Sequence, residues 1–166
     1  KIIGSNPPRT IHALESKYVE VLGYVPETAP YLEEAYISVA PLRYGGGMKG
    51  KVGEAMSYGL PVVTTSIGAE GFGITPDRDL LIGDTPESFA AQVIALMNDP
   101  ALYKYIAKNG YDFLNKHYSI PAVEKMLDSS MQRLVDLPSR KIRLAQRLIS
   151  SVNKLYIQHI AWRIHK

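Results

Sequence analysis

The sequence predicts an α/β domain built on a parallel sheet with helices on both faces. Short apolar segments alternate with helical segments along most of the chain, which is the pattern of parallel strands joined by helical crossovers. The segment Leu60–Thr65 is β-branched and nearly all apolar, as expected of a strand buried on both faces. A glycine-rich segment follows the preceding strand, Ile37–Ala40, and therefore lies at the carboxyl edge of the sheet, where ligands of such folds bind.

The first part of the chain predicts short strands separated by short helices. Its opening residues, KIIGSNPP, are typical of the end of a buried strand that leaves through a Gly/Pro turn. A domain seldom begins so near the end of a core strand, so we expect this chain to be a piece of a longer protein. The predicted elements that follow are a helix over Thr10–Lys17, a strand over Tyr18–Leu22 stopped by Gly23, a helix near Ala29–Ala35 and the strand Ile37–Ala40 ended by Pro41.

The second part predicts longer helices with recognisable ends. Gly59 closes a short helix as a C-terminal cap, and Thr85-Pro86-Glu87 provides an N-cap, a proline at the first helical position and an acid in the first turn. The predicted elements are a helix over Val52–Tyr58, the strand Leu60–Thr65, a loop over Ser66–Asp79, a strand over Leu80–Ile82, and helices from Thr85 to Asn98, from Asp99 to about His117 and from Ile120 to Leu137.

Composition excludes several classes of protein. The 166 residues suffice for one ordinary domain with a core. Cysteine is absent, so disulfides and thiolate metal sites are excluded, in agreement with a reducing compartment. The four histidines share no ligand spacing, and we expect neither a metal nor another cofactor. No signal peptide is visible and no apolar run approaches the about 20 residues of a membrane span, so we expect a cytoplasmic protein.

Charge is unevenly distributed along the chain. All 16 acidic residues and 12 of the 19 basic residues lie within residues 1–136, which gives that part a net charge of −4. Residues 137–166 carry seven basic residues and no acid, a net charge of +7. A mildly acidic body argues against a nucleic-acid-binding surface, whereas the basic end predicts an anionic partner.

The segment Ile37–Thr65 carries the chemistry of the chain. Its loop, RYGGGMKGK, leads into a helix whose free amides and dipole favour an anion. The spacing from Gly45 to Gly50-Lys51 matches a P-loop, but Val52 stands where Ser or Thr must reach a metal ion. A phosphate site of another kind and a plain surface turn with solvated lysines both remain open on these residues alone.

The longer run APLRYGGGMKGKVGEAMSYGLPVVTTSIGAEGFG resembles the core signature of retaining nucleotide-sugar glycosyltransferases of the GT-B architecture. The upstream VLGYVPE and YLEEAYISVAP and the downstream NDP and HYS resemble further parts of the same family, glycosyl transferases group 1. The resemblance covers about Ile2–Tyr118. It implies a Rossmann-like, donor-binding C-terminal half of a GT-B fold over residues 1–137, with its first strand truncated, followed by C-terminal helices.

The resemblance also implies roles for individual residues. Glu54 matches the acid that hydrogen-bonds the ribose hydroxyls of the donor, a task suited to a carboxylate. Gly46, Gly47, Met48 and Lys49 belong to the loop that approaches the diphosphate and the sugar. The further implied binding residues are Lys51, whose amine reaches a phosphate if it is not simply solvated, and Val25, whose main chain meets the nucleobase. No catalytic residue is assigned.

One position departs from the family pattern. The family usually carries a second acid eight residues before the ribose acid, where this chain has Gly46. The resemblance also implies a separate N-terminal acceptor domain and an upstream basic pair that neutralises the diphosphate. We therefore expect the donor-binding half of a metal-independent transferase that is inactive alone. The alternative is a non-catalytic nucleotide-sugar-binding or interaction domain of the same fold.

The basic end predicts a separate amphipathic helix over residues 138–166. Apolar residues recur there at helical spacing from Ile142 to Ile160, with Arg143, Arg147 and Lys154 on another face. Two interpretations stay open: peripheral contact with anionic lipid at the inner face of a membrane, or packing of the apolar face on protein.

Overall fold

The computed structural model describes residues 1–135 of the chain. Contact density divides the chain into a unit of Lys1–Val123 and a second unit that begins at Glu124. The elements, in chain order, are β1 Ile2–Ile3, α1 Arg9–His12, β2 Val21–Gly23, α2 Ala29–Glu34, β3 Ser38–Ala40, α3 Gly50–Ser57, β4 Val62–Thr64, α4 Ser66–Ala69, β5 Leu81–Ile82, α5 Pro86–Asn98, α6 Pro100–Tyr118 and α7 Ile120–Val135.

The strands are parallel and form two sheets. β1 pairs with β2, with Ile2 opposite Val21. β3, β4 and β5 form the second sheet in that order, and Val63 of the central strand lies between Val39 and Leu81. Helical crossovers connect the strands of this second sheet, which confirms the predicted α/β class.

The central strand β4 is covered on both faces. Val62 and Val63 are both 0% exposed, yet they belong to different apolar clusters. Val62 packs in a cluster with Met56 of α3, whereas Val63 packs in a cluster with Leu96 of α5. Because successive side chains of a strand point to opposite faces, helices lie on both sides of this sheet, as predicted.

The contact between α6 and the segment before β5 depends on a glycine. A Cβ at Gly110 would lie 2.6 Å from the carbonyl oxygen of Asp79, so no side chain can be placed there without movement. The Asp79 carboxylate is itself buried and accepts hydrogen bonds from Thr75 N and Arg78 Nε, both at 2.8 Å. This buried acid is therefore fully engaged in holding the turn before β5.

The predicted helix ends are confirmed for the longer helices. Thr85 forms a capping box with Ser88 at the start of α5, and Asp99 Oδ1 accepts from the amides of Ala101 and Leu102 at the start of α6. Gly59, just past the end of α3, has a φ of +69°, the left-handed conformation of a C-terminal cap.

The predicted bounds of the first helix and the next strand are wrong. The helix ends at His12 rather than Lys17, and the strand begins at Val21 rather than Tyr18. Ser16 and Val19 pair as an isolated antiparallel bridge, and their mutual backbone hydrogen bonds of 3.0 and 3.2 Å turn the chain between the two elements.

The predicted loop over Ser66–Asp79 contains a helix, α4, at its start. Thr65 is the N-cap of α4, and its hydroxyl oxygen accepts from Gly68 N at 3.1 Å. The helix α3 also begins at Gly50, before the predicted Val52.

Within residues 1–135, no helix has both the length and the apolar character needed to cross a membrane. The predicted domain boundary at residue 137 and the predicted amphipathic helix over residues 138–166 lie outside the described residues.

Candidate functional site

The glycine-rich loop connects β3 to α3 at the carboxyl edge of the three-stranded sheet. β3 ends at Ala40 and α3 begins at Gly50. Gly45 and Gly47 have φ values of +130° and +68°, a region that residues with a Cβ rarely adopt. The residues from 43 to 48 are all exposed, so the backbone of the loop is open to solvent at the edge where ligands of this fold class bind.

The amino end of α3 has no side-chain cap. Lys49 occupies the N-cap position, but its side chain makes no hydrogen bond to the helix. The first amides of a helix have no intrahelical acceptor, and the helix dipole adds partial positive charge to them. This end of α3 is therefore suited to an anion such as a phosphate.

The two lysines of the loop occupy different environments. Lys49 is buried, with 8% of its surface exposed, and its amine donates to the carbonyl oxygen of Gly47 at 2.6 Å. Lys51, in the first turn of α3, is exposed. Lys49 thus supports the loop from inside, whereas Lys51 presents its charge to solvent.

Glu54 is exposed on α3, one turn after Lys51. Its Oε1 accepts a hydrogen bond from the hydroxyl of Thr28. Thr28 stands at the start of α2, three residues after Val25, which is half-buried. The hydrogen bond therefore brings the segment after β2, where the nucleobase contact was predicted, to the helix that follows the glycine loop.

The turn after α4 packs on the glycine loop. A Cβ at Gly71 would lie 3.1 Å from the backbone nitrogen of Met48 and 3.4 Å from the carbonyl carbon of Gly47. The next residue, Phe72, is buried, and its ring carbon Cε1 would lie 3.2 Å from a Cβ at Gly53 of α3. The turn thus supports both the loop and the helix.

Side chains tie the carboxyl ends of the three strands together. Thr65, after β4, donates its hydroxyl to the carbonyl of Leu42, after β3, at 2.6 Å. Asp84, after β5, accepts from the Ser66 hydroxyl at 2.6 Å and from the Ser66 amide at 2.7 Å. These two hydrogen bonds, the hydroxyl foremost, lower the pKa of Asp84. The edge of the sheet is therefore held on both sides of β4.

The site contains no metal cluster among the residues that the structure describes, and a groove lies elsewhere on α3. Among residues 1–135, no group of three His, Asp or Glu side chains could hold a metal ion. A groove of about 570 Å³ lies at the opposite end of α3, lined by Tyr58 and by α6 residues that include Tyr103, Lys104 and Tyr111. None of the residues predicted to bind a ligand lines it.

The sequence predicts the local part of the candidate site but not the contacts that support it. Gly46 through Glu54 are placed together because they are continuous in the chain. The ties formed by Thr28, Gly71 and the pair of Ser66 with Asp84 join residues distant in sequence. Thr28 has a signal in the sequence, since a threonine directly before a predicted helix is a candidate N-cap. Ser66 and Gly71 lie within the run that resembles the glycosyltransferase signature, but that run does not predict what they contact.

A profile of the family described as "Glycosyl transferases group 1" matches residues 1–99, more than half of the 166 residues. The chain belongs to the glycosyl transferases group 1 family. A protein of Klebsiella pneumoniae, described as an uncharacterized 44.6 kDa protein in the cps region, is 34% identical over 82 residues. That alignment covers 49% of this chain and 21% of the relative, so this chain spans about a fifth of its length.

Solved structures of glycosyltransferase domains share the fold. The C-terminal domain of the glycosyl transferase group 1 family protein LpcC from Francisella tularensis is 25% identical, with a TM-score of 0.54 over 60% of this chain and 53% of that one. Sucrose-phosphate synthase from Thermosynechococcus elongatus is 22% identical, with a TM-score of 0.65 over 80% of this chain and 37% of that one.

Anabaena HepE, solved in complex with UDP, is 16% identical, with a TM-score of 0.60 over 69% of this chain and 32% of that one. The family profile and these structural similarities together confirm the expected family and the expected fold, that of a GT-B C-terminal domain.

Proposed function

We propose that this glycosyltransferase domain binds a nucleoside diphosphate sugar and forms the donor half of an enzyme that transfers the sugar to a glycan, a lipid or another acceptor. The observation that carries the proposal is the exposed carboxylate of Glu54, held by Thr28 one turn beyond an exposed glycine loop. A carboxylate accepts two adjacent ribose O–H groups. The amides of the loop and of the first turn of α3 then face the diphosphate.

The chemistry that follows is electrostatic. Transfer breaks the bond between the anomeric carbon of the sugar and a diphosphate oxygen, and the leaving nucleoside diphosphate gains negative charge. Oriented amides and cations stabilise such charge as it develops. In this chain the amino end of α3 and the amine of Lys51 would supply that stabilisation without a metal ion. A preceding acceptor domain would complete the cleft, so we expect residues 1–166 alone to show little or no transfer.

Calorimetry of the 166-residue chain with UDP, GDP and ADP, each with and without an attached sugar, tests the proposal. We expect one nucleotide to bind, and Glu54→Ala to weaken it by about 10- to 100-fold, since a hydrogen bond to a charged group contributes about 1.5–3 kcal/mol. Glu87→Ala is the matched control, because Glu87 is also an exposed acid in a helix but lies in the first turn of α5, away from the glycine loop in the chain. Equal binding by Glu54→Ala and wild type would contradict the proposal.

Gly46 favours the alternative of a binding domain without activity, because the family usually has an acid at this position. Gly46 is exposed, its φ is not in the left-handed region, and a Cβ there would have no atom within 4 Å. The Cβ of an acid therefore fits at this position without a clash. If the missing acid is what limits sugar binding, Gly46→Glu will raise the ratio of the affinity for the nucleotide sugar to the affinity for the free nucleotide. An unchanged ratio would show that the missing acid does not limit sugar binding.

The basic end of the chain adds a proposed membrane contact to this function. The net charge of +7 on residues 137–166 suits anionic lipid headgroups, each basic residue near the surface contributing about 1 kcal/mol. Flotation with anionic and with neutral vesicles compares the full chain with a chain ending at Leu137. Loss of anionic vesicle binding on truncation supports the contact, and equal binding removes it in favour of packing on protein.

A further inference from the structure

Thr28 occupies an N-cap position without capping the helix. Its carbonyl oxygen accepts from the amides of Tyr31 and Leu32, both at 3.1 Å, and so begins α2. An N-cap threonine usually has extended backbone angles and accepts a helix amide with its side chain. Thr28 instead has φ −90° and ψ −21°, and its side chain makes no cap hydrogen bond.

The hydroxyl of Thr28 is directed to another element. It donates to Oε1 of Glu54, 26 residues further along the chain. Thr28 is half-buried, whereas Glu54 is exposed. A capping hydrogen bond would stabilise the start of α2, so the use of this hydroxyl elsewhere points to a role in holding Glu54 rather than in starting the helix.

The hydrogen bond limits what the Glu54 side chain can do. An exposed glutamate loses appreciable rotamer entropy whenever its carboxylate is fixed by a ligand. In this structure Oε1 already accepts a hydrogen bond from Thr28, which restricts the carboxylate before any ligand arrives. Because each carboxylate oxygen can accept two hydrogen bonds, Oε2 and the second acceptor site of Oε1 are left for the two ribose hydroxyls. A preorganised acceptor binds more tightly than a freely rotating one.

We propose that Thr28 is a positioning residue for the ribose site: its hydroxyl orients the Glu54 carboxylate so that the carboxylate accepts the ribose hydroxyls of a nucleoside diphosphate. This inference rests on the proposed function of Glu54. It also links the segment after β2, and with it Val25, to the strength of the ribose contact.

The test separates the hydroxyl of residue 28 from the fold around it. Thr28→Val keeps the shape and the β-branch but has no hydroxyl, whereas Thr28→Ser keeps the hydroxyl. Both variants, Glu54→Ala and the double variant Thr28→Val/Glu54→Ala are titrated calorimetrically in the 166-residue chain. The probes are UDP, GDP and ADP, together with the 2′,3′-dideoxy form of whichever binds, which lacks the hydroxyls that Glu54 would accept. Thermal unfolding of each variant reports its stability.

Thr28→Val is expected to lower the affinity for the ribonucleotide by about tenfold, the effect of one good hydrogen bond. It is expected to leave the affinity for the dideoxy form unchanged. Thr28→Ser is expected to restore the ribonucleotide affinity, and Thr28→Val is expected to add nothing in the Glu54→Ala background. These results would establish positioning through Glu54, because a merely structural role would weaken both forms of the nucleotide alike.

Two results would overturn the inference in distinguishable ways. Suppose that Glu54→Ala weakens binding of the ribonucleotide but Thr28→Val does not, or that Thr28→Val weakens binding of the ribonucleotide and the dideoxy form equally. In either case the inference about Thr28 fails and the role of Glu54 stands. If wild type binds no nucleotide, or Glu54→Ala binds as wild type does, the proposed function of Glu54 fails and the inference fails with it.

Discussion

The amine of Lys49 lies 2.6 Å from the carbonyl oxygen of Gly47, inside the glycine loop that precedes α3. Its Cε lies 3.3 Å from the position of a Cβ at Gly45, so the loop closes around this side chain. A lysine beside a phosphate-binding loop is ordinarily interpreted as a ligand of the phosphate. In this structure the amine of the buried Lys49 holds the loop, and of the two lysines it is Lys51 that is exposed to solvent.

Replacing each lysine by methionine separates these two roles. Lys49→Met keeps the apolar stem but leaves the Gly47 carbonyl without its charged donor, so we expect the free energy of unfolding to fall by about 1.5–3 kcal/mol. Lys51→Met removes an exposed charge and is expected to change that free energy by no more than about 0.5 kcal/mol, while weakening nucleotide binding. Urea denaturation and calorimetry measure the two effects. Equal stability of both variants would contradict a structural role for Lys49.

The sequence predicts those parts of the fold whose physical cause is local. β4 is recognisable because burial on both faces requires a run of apolar residues. The starts of α5 and α6 are recognisable because Thr85 and Asp99 cap them with their own side chains. The glycine loop and Glu54 are recognisable for the same reason, since nine consecutive residues from Gly46 to Glu54 contain them.

The rest of the site depends on contacts between residues distant in the chain. Such contacts produce no periodic pattern in the sequence. Thr28 and Glu54 are 26 residues apart, and Ser66 and Asp84 are 18 residues apart. A single sequence can single out Glu54 by its motif and Thr28 as a candidate N-cap, but it does not show that the two side chains meet or that Ser66 meets Asp84. The burial of Lys49 is equally hidden, because lysine is among the residues least often buried and only the fold of the loop places it inside.

Gly110 is predicted to be essential for the packing of α6. Alanine in a helix interior ordinarily stabilises by up to about 1 kcal/mol relative to glycine. At Gly110, however, the new Cβ would lie 2.6 Å from the backbone oxygen of Asp79, and such overpacking costs about 1–3 kcal/mol. We therefore expect Gly110→Ala to lower the midpoint of urea unfolding.

Gly53→Ala is the matched control for Gly110→Ala. It is also a helix glycine, but the atoms nearest to its new Cβ are ring carbons of Phe72 at 3.2 and 3.3 Å, and a side chain can move more easily than backbone. Its loss of stability is expected to be smaller. A loss at Gly53 equal to that at Gly110 would show that the two sites relax equally well.

Asp84 makes the stability of the carboxyl edge dependent on pH. Its pKa in the folded chain is lowered below the ordinary value of 3.8, first by the Ser66 hydroxyl and then by the Ser66 amide. A group whose pKa is lowered on folding stabilises the fold above its unfolded pKa, and this stabilisation is lost as the pH falls through the folded pKa. The contribution is therefore constant near neutral pH and disappears in acid, below the ordinary pKa.

Urea unfolding of wild type and Asp84→Asn from neutral pH to about pH 3 measures this contribution. We expect wild type to be the more stable at neutral pH and the difference to shrink in acid. Ser66→Ala removes the hydroxyl that contributes most to the shift, and it is expected to reduce the same pH-dependent difference. A difference between wild type and Asp84→Asn that stays constant down to the lowest pH would contradict the assignment.

Gly71 is predicted to control the glycine loop from the opposite side. Its φ is +85°, and a Cβ there would lie 3.1 Å from the backbone nitrogen of Met48. Gly73 has a φ of +69°, but a Cβ there would meet no atom within 4 Å. Alanine at either position is destabilised by about 1–2 kcal/mol because its backbone is left-handed. Only alanine at Gly71 also makes a close contact with the loop. We therefore expect both variants to lose stability in urea, and Gly71→Ala alone to weaken the nucleotide in calorimetry. Equal nucleotide affinity of the two variants would show that the loop adjusts to the added carbon and that the turn at Gly71 does not control its conformation.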